Sequence, residues 1–151
     1  MNGPATRTIL YVEDDPDDRL LAKMAHRESG VANPLMFVGD GGEALEYLRG
    51  KGRHADRAGG SQAGIVMLDL NMPGMGGLET LRTIKTDPLL RRIPVLVLTT
   101  SASTVDIAAC YDAGANSYTI KPTASAGFVA FFQVLCRYWF GAVALGLEVK
   151  P

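Results

Sequence analysis

Two stretches constrain this chain most. Ile65-Val66-Met67-Leu68 and Val95-Leu96-Val97-Leu98 are apolar at every position. A strand with one wet face alternates, whereas a strand apolar throughout is covered on both faces, as in the interior of a parallel sheet. Thr8–Val12, Leu35–Val38 and Ser117–Ile120 read as three further strands, with Ile65–Leu68 and Val95–Thr99 completing the set. Helical spacing follows each strand. The apolar stripes are Leu20, Leu21, Met24 and Ala25; Ala44, Leu45 and Leu48; Leu78, Leu81 and Ile84; Val105, Ala108, Ala109 and Asp112; and Phe128, Phe132, Leu135 and Trp139. Strand followed by helix, five times over, predicts a doubly wound α/β domain with a five-stranded parallel sheet and helices on both faces. A chain of 151 residues suffices for one such domain with its own core.

Several function classes drop out at once. Fifteen Lys+Arg against 16 Asp+Glu leave a net charge of −1, which gives no electrostatic footprint for nucleic acid. Cys110 and Cys136 form neither a disulfide framework nor part of a close-spaced zinc set. Met1–Thr8 carries no apolar leader, so a cytoplasmic location is expected. Ala124–Leu147 has the length of a membrane span, but Arg137 inside it would cost roughly 2.5 kcal/mol or more, and Gly127, Gly141 and Gly146 interrupt it. A core helix with one wet edge, made by Ala130, Gln133 and Arg137, is the better reading, and no membrane partner is expected. Gly50–Gly64, with Arg49, Lys51, Arg53, His54 and Arg57 in or beside it, reads as a long solvated loop.

In folds of this kind, ligands bind outside the carboxyl ends of the strands. Glu13-Asp14-Asp15-Pro16 follows the first strand and Asp69-Leu70-Asn71-Met72-Pro73 the third. The fourth strand ends in Thr99-Thr100-Ser101, and Lys121-Pro122 follows the fifth. Crowded carboxylates repel unless a cation intervenes, and an all-oxygen set suits Mg²⁺ before Zn²⁺. Lys121 adds a point charge for phosphate oxygens. No glycine-rich cradle follows the first strand, so nucleotide binding is unsupported. What remains is a phosphoryl group carried on a carboxylate beside Mg²⁺. Asp15 is set apart: with Pro16 behind it, it reads as a helix N-cap, and Asp17 and Asp18 complement the helix dipole.

The segments Ile9–Asp15, Val66–Pro73, Pro94–Thr99 and Gly114–Pro122, in this order and each at a strand end, resemble the receiver domain of two-component response regulators, over about residues 7–140. Leu98-Thr99-Thr100-Ser101, Tyr111, Gly114–Tyr118, the long loop and Tyr138-Trp139-Phe140 are similar to the single-domain regulators of phytochrome-type histidine kinases. The resemblance implies a flavodoxin-like fold, with residues 141–151 as a tail and no output domain. It implies Asp69 as phosphoacceptor and member of the Mg²⁺ site, Asp14 on Mg²⁺ directly, Glu13 through water, and the Asn71 backbone carbonyl as a further ligand. Thr99 would be the switch hydroxyl, Lys121 the partner of the phosphoryl group, Tyr118 an aromatic that changes rotamer with Thr99, and Lys121–Pro122 a cis peptide. Gly76, Thr100 and Thr123 depart from the usual pattern.

Such a chain is a signalling switch rather than an enzyme, promoting its own phosphoryl transfer and dephosphorylation, with a sensor histidine kinase as partner. A haloacid-dehalogenase-type phosphatase would need D-x-D-x-T after the first strand, which is absent. A degenerate, binding-only receiver would have lost some of Glu13, Asp14, Asp69, Thr99 and Lys121, and all are present. Phe131, Val134 and Tyr138 form a second stripe on the fifth helix, beyond what one sheet face covers, and a homodimer through it is expected.

Overall fold

The architecture was taken from a computed structural model that describes residues 7–57, 63–72 and 74–147. Five strands, β1 (Thr8–Val12), β2 (Leu35–Val38), β3 (Ala63–Leu68), β4 (Val95–Thr99) and β5 (Ser117–Ile120), form one sheet in the order β2-β1-β3-β4-β5. Every pairing is parallel. The helices are α1 (Pro16–Ser29), α2 (Gly41–Arg49), α3 (Gly77–Thr86), α4 (Thr104–Asp112) and α5 (Ser125–Arg137). β3 and β4 are buried at every position, as their unbroken apolar runs require.

Alternation along the strands divides the core. Leu10, Val12, Val66, Leu68, Val95 and Val97 face α2, α3 and α4, where Ala44, Leu45, Leu48, Leu81, Ile84 and Cys110 meet them. Ile9, Tyr11, Ile65, Met67, Leu96 and Leu98 face α1 and α5, packing on Ala22, Ala25, Phe128, Phe132 and Leu135. The sheet order reverses direction between β1 and β3, so the cleft at their carboxyl ends is the topological switch point.

Local chemistry sets the helix ends. Asp15 Oδ1 accepts from the Asp17 and Asp18 N–H groups at 2.8 and 3.1 Å, and Gly30 closes α1 at φ 72°. Gly77 opens α3 against the end of β3, where a Cβ would collide with the Asp69 carbonyl oxygen. At the far end of the sheet, the β1–β3 register shifts between Thr8 and Ile9, opposite Gly64. A π-helical turn (Tyr138–Ala142) continues α5 and lays the Phe140 ring against Gly64, with no room for a side chain there.

Four expectations need correction. The bulky stripe of α1 is reversed in part: Leu20 and Met24 face solvent, Ala25 is buried as expected, and Ala22, outside the expected stripe, is buried with it. Small residues win there because α1 packs closely beside the large rings of α5. On α4, Val105 and Ala108 are exposed, and Cys110 is the residue driven into the core. The long loop is not irregular throughout: it holds a short 3₁₀ segment, Gly52–Arg57, from which Arg53 and His54 reach carboxylates of α2. Arg53 Nε meets Glu46 Oε1 at 2.6 Å, His54 Nε2 meets Glu43 Oε2 at 2.9 Å, and Arg49 reaches Asp87 at 3.0 Å. Finally, no peptide bond among the described residues is cis, so Lys121–Pro122 is trans, the form an X–Pro bond favours by about 0.5–1 kcal/mol.

Candidate phosphoryl and metal site

The switch-point cleft gathers residues from four strand ends. Glu13 and Asp14 leave β1, Asp69 leaves β3, Thr99 ends β4, and Lys121 follows β5. Carboxylate oxygens of Glu13, Asp14 and Asp69 lie within 4.8 Å of one another. Glu13 and Asp69 are buried, while Asp14 is exposed and leaves an open side. Hard oxygen donors at this spacing fit a divalent cation.

Lys121 brings a positive charge to these carboxylates. Its Nζ lies 2.7 Å from Glu13 Oε1, 2.9 Å from Asp18 Oδ2 and 3.4 Å from Asp69 Oδ2. Burial alone would pull the Lys121 ammonium down, but its hydrogen bonds to Glu13 and Asp18 and the Asp69 charge outweigh it and hold the proton on. Burial pushes the Glu13 carboxyl up, against the pull of Lys121 and of the Asp15 N–H on Oε2 at 3.1 Å. The Arg19 side chain anchors the same turn through the Glu13 carbonyl oxygen at 2.6 Å and lies over the Phe37 ring.

Thr99 is fully buried, and its hydroxyl has no hydrogen-bond partner among the described residues. A buried hydroxyl without a partner is costly, so an acceptor brought into the cleft would be welcome there. Asn71 sits beside the acid set, its N–H donating to Asp69 Oδ1 at 3.3 Å. Tyr118 is half-buried on β5 and donates its hydroxyl to the Ser101 carbonyl at 2.8 Å. Asp15 serves as the α1 cap, as its position before Pro16 predicts.

The sequence reading missed two groups. Asp18, expected only to complement the helix dipole, is also the second carboxylate on Lys121. Tyr11, fully buried, donates its hydroxyl to Glu13 Oε1 at 3.3 Å. Burial and the Glu13 and Asp69 charges push this phenol above its ordinary range, so it is a donor. Strand parity was the available signal, since residues 11 and 13 point to one face.

The expected interface stripe is displayed unevenly. Val134 and Tyr138 are 62% and 55% exposed, while Phe131 is half-buried against Phe128 and Phe132. A groove of about 230 Å³ between β5 and α5 is lined by Phe131, Val134 and Tyr138, together with Thr119 and Trp139. No helix among the described residues is long and apolar enough to cross a membrane.

Residues 9–132 match the response regulator receiver domain. Response regulator Rcp1 of Synechocystis is 32% identical over 139 residues, covering 92% of each chain. A Mn²⁺-bound crystal structure of Rcp1 superposes with a TM-score of 0.79, covering 92% of this chain and 98% of that one at 32% identity. The response regulator RPA3017 in red light signalling of R. palustris gives a TM-score of 0.86 at 34% identity, covering 92% of this chain and 97% of its own. The phosphorylated cyanobacterial phytochrome response regulator RcpA gives 0.83 at 36% identity, covering 94% and 99%.

Proposed function

The chain belongs to the response regulator receiver family of two-component signalling, and from that premise we propose that it takes a phosphoryl group from a sensor histidine kinase onto Asp69. One observation carries the assignment: Asp69 lies at the switch point between the Glu13–Asp14 pair and Lys121. An Asp69 carboxylate oxygen attacks phosphorus, the P–N bond to the kinase imidazole breaks, and the electron pair leaves on that nitrogen. Asp14 directly, Glu13 through water and the Asn71 carbonyl would hold the metal, which we assign as Mg²⁺. When bound, that cation neutralises the crowded carboxylates and the phosphoryl oxygens.

Lys121 pairs with the phosphoryl group in this reading, and Thr99 donates its partnerless hydroxyl to a phosphoryl oxygen. Tyr118 then leaves Ser101 as the β4 end rearranges, and the signal passes to the α4–β5–α5 side. The same groups support dephosphorylation by water. The phytochrome-related regulators among its relatives favour a phytochrome-type kinase as the partner, in the cytoplasm. The exposed Val134 and Tyr138, with Phe131, support a homodimer through α5.

Asp69→Asn tests the assignment, because an amide is not a nucleophile for the phosphohistidine. Incubated with a phosphorylated histidine kinase and Mg²⁺, this variant should take up no acid-labile phosphate, and wild type should approach one per chain. Stoichiometric labelling of Asp69→Asn would refute it.

A further inference from the structure

We infer that the Tyr11 hydroxyl is a positioning group that lets Lys121 leave Glu13 for the phosphoryl group without stranding a buried carboxylate. The inference rests on the proposed role of Lys121. In the structure, Glu13 Oε1 receives two donors, Lys121 Nζ at 2.7 Å and Tyr11 Oη at 3.3 Å. The longer contact is secondary while the ammonium is in place.

The three carboxylates on Lys121 differ in what happens when it goes. The Asp18 side chain is 37% exposed, so water can replace the lysine there. Asp69 is the carboxylate that would be modified. The Glu13 side chain is 1% exposed, so apart from a metal-bound water on one oxygen, solvent has little access to replace the donor that leaves Oε1. A buried carboxylate oxygen that loses a charged donor is costly unless another donor stands ready. Tyr11, held on the same face of β1 by strand parity and packed on Phe37 at 5.6 Å between ring centroids, is that donor. Oε2 keeps the Asp15 N–H throughout, so the carboxylate need not rotate. An apolar residue at position 11 would fill the core equally well, and only the hydroxyl serves the exchange.

The test separates this role from packing. Wild type and Tyr11→Phe are compared in three measurements: melting midpoint without metal, affinity for Mn²⁺ alone, and affinity for beryllofluoride, a phosphoryl mimic, in the presence of Mg²⁺. On this proposal Lys121 stays on Glu13 in the first two and leaves it in the third. The melting midpoint and Mn²⁺ affinity should therefore hold, while beryllofluoride binding weakens roughly tenfold, the worth of one hydrogen bond to a charged group. Unchanged beryllofluoride affinity would overturn the inference, and so would parallel losses in all three, which mark a packing role. A wild-type protein that bound Mn²⁺ but not beryllofluoride would overturn the reading of Lys121 as well.

Discussion

Asp14 is the exposed member of an otherwise buried acidic set, which makes it the residue that can be removed with least harm to the core. Asp14→Ala should weaken divalent-cation binding by about tenfold or more, in line with the loss of a group that orients or holds a metal. Without metal, its melting midpoint should hold or rise, because one of three mutually repelling carboxylates is gone. A titration with Mn²⁺ beside a thermal melt checks both, and a clear fall in the metal-free midpoint would mark Asp14 as structural. Glu13, Asp14, Asp69, Thr99 and Lys121 were readable from the sequence because each sits at or just after the end of a strand, where the fold delivers its residues to one cleft. Tyr11 and Asp18 were not. Their roles depend on where a long lysine from β5 comes to rest, across 103 residues of sequence from Asp18. No local pattern encodes that meeting.

Among the elements, the turn after α3 offers a pH test. Asp87 accepts from the Leu89 N–H at 2.8 Å and from Arg49 of α2 at 3.0 Å. The Leu89 N–H first, then the Arg49 guanidinium, holds its carboxyl below the usual range. A depressed carboxylate contributes stability that is present above the unfolded value, ~3.9, and is lost as pH falls through the lower folded value. Asp87→Asn should thus be less stable than wild type at neutral pH, by under about 1 kcal/mol for so exposed a pair, and the gap should close in acid. Urea unfolding at pH 7 and near pH 3 measures it, and a gap that persists or widens in acid would contradict the assignment. The strands were legible nearly to the residue, with β3 alone starting two positions early, because full burial leaves an unbroken apolar run. Helix faces were less so. Periodicity on α1 weights bulky Leu20 and Met24 alongside Ala25, whereas close approach to α5 selects Ala25 and Ala22, and that selection belongs to the partner helix rather than to α1.

For the molecule as a whole, assembly is the open property that the α5 surface speaks to. Phe131→Glu or Tyr138→Glu should convert the expected homodimer into a folded monomer, read by sedimentation with circular dichroism as the check on folding. A monomeric wild type, or a dimer indifferent to both changes, would count against the α5 interface. The second stripe is only partly at the surface, since Phe131 packs on Phe128 and Phe132 while Val134 and Tyr138 stay out. A 3.6-residue period ranks faces by angle but does not say how deep the sheet-side rings lie. The Phe140 ring on Gly64 carries a consequence for modular recombination. The family match stops at residue 132, and a splice there would seem natural for grafting an effector onto this receiver. Such a graft would strip the ring that closes the entry of β3, at the sheet end opposite the acidic cleft. Seams intended to preserve the receiver belong beyond the π-helical turn, and shuffled chimeras joined before it should lose solubility before they lose their chemistry.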